Sequence, residues 1–348
     1  MLIINPKNLC NFANQVLQKS GVSEKDAKIV SKGLIQANLE GTDSHGISRL
    51  PVYTKRLMDK RIKSRPKIDI KKISPASLLV NGDNGLGHVV TYYSLKKGIK
   101  IAKENGISSV AIHSSNHFGT ASYFCQLASQ ENIIAFICTN SPPGLAPWGG
   151  SKKIFGTNPV AFGFPVQDRP PVIIDMSTSV VARGKIMLAK NRNESIPDGW
   201  ALDEKGNMTN NPSEALKGSM YPMAEAKGYA LALAVEILAG VLTGASISPD
   251  VKNIYNEKLS KKANVGHFIF LIDVNKYKNN SDYDGQLEYL LQLIKLNPPI
   301  KNDVTVRYPG ERKHAESRQR EANGIKLSET DYNELRELGK RFNIQFPE

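Results

Sequence analysis

Near the N-terminus the apolar positions recur at helical spacing. Leu9, Phe12, Ala13, Val16 and Leu17 predict an amphipathic helix over 7–19, closed by Gly21. Ser23 with Asp26 has the form of a capping box. Ala27, Val30, Leu34 and Ile35 then carry a second helix to about Asn38, with Gly41 ending it. Further along, the pattern changes to short unbroken apolar runs that read as buried strands: Leu78–Val80, Ser109–Ile112, Ile133–Cys138, Val172–Ile174 and Gly266–Val274. Helices are expected among them at Tyr92–Glu104, with Leu95, Ile99 and Ala102 inward, and at Ala121–Gln130. Leu287, Leu290, Leu291 and Ile294 mark a later one, and Ser328 with Asp331 caps the last. The nearly all-apolar run Tyr229–Ile247 is almost long enough to span a bilayer. Glu236 near its middle makes it a buried core helix in this reading. The Gly- and Pro-rich residues 144–165 interleave apolar positions and are expected to form fixed turns.

One polar stretch carries candidate chemistry. In Thr42–Tyr53, His45, Arg49 and Tyr53 stand four residues apart, so a helix there would put all three on one face. Pro51 favours a helix starting near Ser48, which would cap it; His45 then approaches from the preceding turn. An imidazole that exchanges protons near neutral pH, beside a guanidinium that grips carboxylates, suits chemistry on a small carboxylic acid.

Composition narrows the class. The 348 residues allow two domains, or one large domain with excursions, and contain no biased tract. Cys10, Cys125 and Cys138 form no redox or metal pair and fit a reducing cytoplasm. The start of the chain lacks the pattern of a signal peptide. The net charge of +13 raises the question of nucleic acid, with nine Lys and Arg residues between Lys55 and Lys72. No aromatic residue interleaves them after Tyr53 and no recognition motif accompanies them, so a solvated basic face is expected.

Other candidates lie at strand ends and turns. His117, within Ser115-Asn116-His117-Phe118-Gly119, is a second possible acid or base. Asp175-Met176-Ser177 follows a strand, where hydroxyls and backbone N–H groups suit a nucleotide's ribose and phosphates. Lys227-Gly228 opens the apolar helix and can hold an anion. The cluster Gly82-Asp83-Asn84-Gly85-Leu86-Gly87 has the reverse spacing of a dinucleotide fingerprint and reads as a tight turn near a helix start. A turn rich in charge is expected at Arg307–Arg312. There is no Walker loop, nucleophile elbow or zinc spacing, so no metal site is expected.

Taken in order, these motifs resemble the malate/L-lactate dehydrogenase family, which is distinct from the Rossmann-type lactate and malate dehydrogenases. It includes ureidoglycolate and sulfolactate dehydrogenases, diketogulonate reductase and a cyclic imino acid reductase. The resemblance runs through Asp43-Ser44-His45-Gly46 with Arg49, Asp83–Gly87, Ser115–Gly119, Thr139-Asn140-Ser141, Pro147–Gly150, Gly156–Pro159, Asp175–Ser177, Lys227–Tyr229 and Tyr308–Glu311, almost end to end. Ala230 departs from a glycine frequent there.

The resemblance implies a non-Rossmann α/β fold: a large, mostly antiparallel sheet flanked by helices, plus a smaller domain from the terminal segments. Residues 1–75 would form the N-terminal helical part of that domain and 76–275 the central nucleotide-binding and catalytic region. Residues 276–348 would pack back on the N-terminal part. It implies NAD or NADP as cofactor, a small 2-oxo or 2-hydroxy acid such as malate or lactate as substrate, and a cytoplasmic homodimer that binds neither nucleic acid nor membrane. A cyclic imine or ureidoglycolate is the alternative substrate. The rival class outside enzymes is a basic nucleic-acid- or anion-binding protein.

By the same resemblance, Arg49 clamps the substrate carboxylate, with Ser44 and Tyr53 beside it. His45 or His117 exchanges the proton, His45 being the first choice because it travels with Arg49. Ser141, Asp175, Met176, Ser177, Lys227, Gly228, Gly310 and Glu311 line the cofactor site.

Overall fold

The computed structural model describes residues 2–253 and 262–347. The two N-terminal helices form where the periodicity puts them, as α1 (Pro6–Lys19) and α2 (Glu24–Leu39), the second capped by a bond from Asp26 N–H to Ser23 Oγ of 3.2 Å. Two short 3₁₀ turns, Asp43–His45 and Ile47–Arg49, lead into α3 (Leu50–Met58). Ser48 does not cap α3 as expected. Its hydroxyl donates back to Asp43 O at 2.9 Å, Arg49 occupies the cap position, and Pro51 falls in the first turn, where its missing N–H costs nothing.

The apolar runs then assemble a seven-stranded sheet from β2 (Asp69–Ser74), β3 (Ser77–Asn81), β4 (Ile107–Ser115), β5 (Ile133–Thr139), β6 (Val160–Phe164), β7 (Val172–Met176) and β10 (Val265–Asp273). Its order is β2-β3-β4-β10-β5-β6-β7, and only β3 and β4 run parallel. The large, mostly antiparallel sheet is therefore present. β10 enters between β4 and β5 because both its faces are apolar enough to lie at the centre. Helices α4 (Gly87–Asn105) and α5 (Ala121–Ser129) supply side chains to the core on one face, with Leu95, Ile99 and Phe124 packed among Val110, Ile137 and Ile269.

On the other face, Val235 and Ala239 meet Cys138 and Val160. They belong to α8 (Ala226–Val235) and to a π-helical segment, Glu236–Val241, that continues it. The apolar run is thus not a uniformly buried helix. Ile237, Val241 and Leu242 are 49%, 62% and 58% exposed in the single chain and form one apolar surface. No helix among the described residues is long and apolar enough to cross a membrane.

A small excursion between β7 and α8 holds α6 (Arg183–Asn191), β8 (Ala201–Leu202), α7 (Pro212–Lys217) and β9 (Ser219–Met220) around its own apolar cluster. After β10 come α9 (Asn280–Leu296), α10 (Glu311–Asn323), β11 (Ile325–Leu327) and α11 (Glu329–Phe342). The charged turn at 307–312 continues directly into α10. At the far N-terminus β1 (Leu2–Ile4) pairs antiparallel with β11. One core cluster joins Leu9, Val30, Leu50 and Tyr53 to Ile325 and Leu335.

The basic run is largely solvated, with Lys63 bonded to Asp83 at 2.5 Å. Its end forms β2 at the sheet edge, and Arg56 departs from the expectation by being buried.

Candidate active site

The site begins at the turn between α2 and α3. Asn38, buried near the end of α2, donates from Nδ2 to Asp43 Oδ1 at 2.7 Å and accepts the Ile47 N–H at 2.7 Å. Arg320 of α10 donates to the same Asp43 oxygen at 2.8 Å and to Asn38 O at 2.7 Å. Residues 43–49 are therefore pinned from both ends of the chain. Ser44 is exposed, with its hydroxyl 3.0 Å from His45 Nδ1.

A second loop brings His117 to this turn. The glycine cluster at 82–87 supplies its platform. Asn116 donates to Asn84 Oδ1 at 3.1 Å and to Gly85 O at 2.8 Å. At Gly87 any Cβ would lie 2.1 Å from Asn116 O and 2.4 Å from His117 O, so only glycine admits the loop. The cluster thus supports the loop that bears His117. The rings of His45 and His117 stack with centroids 5.4 Å apart and planes inclined by 29°.

Tyr53 is fully buried, and its hydroxyl lies 2.6 Å from His117 Nδ1. The Gly119 N–H also reaches Nδ1, at 3.4 Å. An amide N–H can only donate, so Nδ1 is an acceptor, Tyr53 donates to it, and neutral His117 carries its proton on Nε2.

Burial, reinforced by the Arg49 charge, lowers His45 to about 4. Burial, with His45 and Arg49 nearby, holds His117 well below the ordinary imidazole range. Burial pushes the Tyr53 phenol upward while Arg49 opposes it. His45, Arg49, Tyr53 and His117 thus form one electrostatic unit, held neutral except for the guanidinium. His88, whose sequence position drew no functional reading, packs edge-on against Tyr53 at 5.9 Å, and burial lowers it to about 3.

The residues expected at the cofactor gather in two places. Ser141 Oγ accepts the Thr157 N–H at 3.1 Å, and Thr157 O accepts both the N–H and the hydroxyl of Thr178 at 2.9 Å. Thr178 O in turn accepts the Met223 N–H at 3.0 Å. A Cβ at Gly228 would lie 2.2 Å from Met223 O and 2.8 Å from Thr178 O, so the start of α8 packs directly on this turn. Ser141, Ser177, Lys227 and Gly228 therefore share one ledge, with Met176 and Lys227 exposed. Its hydroxyls, its ammonium and the open N–H groups of a helix start are the donor set that a dinucleotide's ribose and pyrophosphate need.

Asp175, Gly310 and Glu311 are placed differently. Asp175 Oδ2 accepts the Ser122 N–H at 3.1 Å and lies 3.7 Å from Lys313 Nζ; both charges reach His45. Gly310 packs against Ile173 of β7 and lines a cavity of about 420 Å³ with Glu40, Gln126, Arg169, Lys313 and His314. Glu311 pairs with Lys295 at 2.6 Å. Nothing in the sequence marked Lys313 or Glu40, because their meeting depends on α10 returning to α2.

The sequence profile of the family described as malate/L-lactate dehydrogenase matches residues 4–336. The chain belongs to that family. Among relatives of this dehydrogenase, the malate/(S)-sulfolactate dehydrogenase of Methanothermus fervidus is 37% identical, over 99% of either chain. The (2R)-3-sulfolactate dehydrogenase (NADP(+)) of Chromohalobacter salexigens is 35% identical, over 93% of this chain and 94% of its own. Among solved structures, the sulfolactate dehydrogenase of Methanocaldococcus jannaschii superposes with a TM-score of 0.92 at 35% identity, covering 99% of this chain and 98% of that one. The resemblance in the motifs is thus matched over the whole length.

Proposed function

We propose that this dehydrogenase interconverts a small 2-oxo acid and its 2-hydroxy acid using NAD or NADP, with His117 as the proton-transferring group. The observation that carries the reading is the Tyr53–His117–Gly119 arrangement beside Arg49 and His45. A bound nicotinamide supplies or accepts the hydride at C2. Arg49 holds the substrate carboxylate through paired charge-assisted bonds. His117 donates from Nε2–H to the C2 oxygen. As that oxygen gains charge it takes the Nε2 proton, and the Tyr53 hydroxyl passes its own proton to Nδ1. The imidazole stays neutral throughout and the transient phenolate faces the Arg49 charge; once the product leaves, Nε2 takes a proton from solvent and Nδ1 returns its own to Tyr53. Burial, His45 and Arg49 all oppose an imidazolium here; burial opposes the phenolate as well and the Arg49 charge eases it, so the two protons move together.

The first choice for proton transfer therefore passes from His45 to His117. His45, stacked on His117, polarises the carbonyl. Ser141, Ser177, Lys227 and Gly228 bind the dinucleotide, and Met176 lies beside them. Asp175 orients the His45 side of the pocket, with Gly310 and Glu311 supporting β7 behind it.

The same proposal includes a homodimer, supported by the exposed apolar surface of Ile237, Val241 and Leu242. A cytoplasmic location is supported by three unpaired cysteines. The test is oxidation of NADH and NADPH by the purified protein against pyruvate, oxaloacetate, sulfopyruvate and cyclic imines. Turnover with a 2-oxo acid is expected; silence across the panel overturns the assignment.

A further inference from the structure

Glu236 is the one acidic residue inside the apolar run 229–247, and it is only 5% exposed. It begins the π-helical segment, a widened turn of a kind often found at functional sites. Burying a carboxylate is costly unless its oxygens are met by donors. Here Oε1 accepts from Asn140 Nδ2 at 3.2 Å and from the Ser248 N–H at 2.6 Å. Oε2 accepts from Asn158 Nδ2 at 2.8 Å and from the Ser248 hydroxyl. Neither amide can turn over. Asn140 Oδ1 accepts the Gly266 N–H at 3.0 Å, and Asn158 Oδ1 accepts the Ser141 N–H at 3.2 Å. Backbone N–H groups only donate, so both Nδ2 groups face the carboxylate, which shares them with two backbone carbonyls, Ser246 O at 2.6 Å from Asn140 and Ala232 O at 3.0 Å from Asn158.

Two routes lead outward from this node. Asn158 holds a positive φ of 31°, a conformation that needs its side-chain bonds, and carries the constraint one hydrogen bond further to the Ser141 backbone. Asn140 follows Thr139, whose hydroxyl meets His267 Nδ1 at 2.7 Å. His267 Nε2 meets Ser115 Oγ at 2.8 Å, two residues before His117. An apolar side chain of the same size would leave the Ser248 N–H and hydroxyl without this acceptor and each amide with one acceptor fewer.

We propose that Glu236 is the positioning residue of the cofactor ledge: its carboxylate orients Asn140 and Asn158 so that Ser141 is presented to the dinucleotide. This rests on the assignment of Ser141 to a nicotinamide cofactor. The test is Glu236→Gln, which sets an –NH2 group against donors. Fluorescence titration gives the Kd for NADH and NADPH, steady-state kinetics the KM and kcat for the 2-oxo acid, and thermal unfolding the folded fraction. The Kd of the preferred cofactor is expected to rise roughly tenfold or more, while the KM for the 2-oxo acid at saturating cofactor stays near wild type.

A purely structural role predicts a lower unfolding temperature with no change in Kd. Should Glu236→Gln fail to fold, Ser248→Ala removes one donor to Oε2 together with the acceptor of the Gly156 N–H, and should raise the Kd about threefold. A folded variant of either kind with wild-type Kd overturns this inference alone. A wild-type protein that binds neither NADH nor NADPH overturns it together with the proposed function.

Discussion

The bond between Tyr53 and His117 makes the sharpest prediction. Tyr53→Phe removes one oxygen and leaves the buried ring, with its edge contact to His88, in place. The loss is a 2.6 Å bond to Nδ1, leaving only the Gly119 N–H at 3.4 Å. Under-satisfying that buried acceptor costs about 1–3 kcal/mol. Removing the proton behind it should lower kcat for 2-oxo acid reduction roughly 100-fold or more, the scale of general acid catalysis. Cofactor binding should not change, since the lost hydroxyl serves His117.

The pH profile discriminates further. His45 is depressed to about 4 and His117 lies well below the usual imidazole range, so both are neutral near neutral pH. A relay through neutral His117 predicts a wild-type reduction rate without an imidazole limb from about pH 6 to 8. Tyr53→Phe can protonate the product only through an imidazolium, which becomes scarcer as pH rises. Its kcat should therefore fall about tenfold per pH unit over that range. Stopped-flow single turnovers with 4-deuterated cofactor would report the chemical step. Wild-type kcat in Tyr53→Phe, or a wild-type rate that itself falls tenfold per unit, refutes the relay.

Other outcomes are expected at the same site and at the apolar face. Arg49→Lys replaces a planar fork by a point charge and should raise the KM for the 2-oxo acid about 10- to 100-fold, with cofactor Kd unchanged; unaltered kinetics would remove Arg49 from the carboxylate clamp. Val241→Glu places a charge in the exposed apolar surface and should shift a dimer toward monomer in sedimentation velocity. An unchanged dimer would place the interface elsewhere.

Much of this site was legible because its residues lie in short contiguous motifs. His45, Arg49 and His117 each stand at a turn or strand end that local pattern could find, and the resemblance set them in order. Tyr53 was legible as a residue but not in its role. Spacing put it on the Arg49 face, whereas folding buries it against a histidine 64 positions away. The glycine cluster was readable as a turn, yet its purpose depends on Asn116 arriving above it. Elements of weak periodicity stayed hidden. β2 looked like a solvated basic tract because a strand at a sheet edge needs little apolar surface. α10 is so polar that its helical character comes from packing and end contacts more than from an apolar stripe. At the break of the apolar run into α8 and a π segment, Glu236 turns inward to Ser248 and to two asparagines from distant loops, which no local pattern foretells.

The pairing of β1 with β11 has a further consequence, for the order in which the enzyme can be made. The central sheet is complete once β10 has emerged, at residue 273. The turn bearing His45 and Arg49 rests on a core completed by Ile325, Leu327, Leu335 and Leu338, and is gripped by Arg320. During synthesis the central sheet can therefore form while the turn bearing His45 and Arg49 still waits for α10, β11 and α11. A chain released early would keep its sheet but lack a fixed Arg49, and competence for turnover would appear only when the two ends meet.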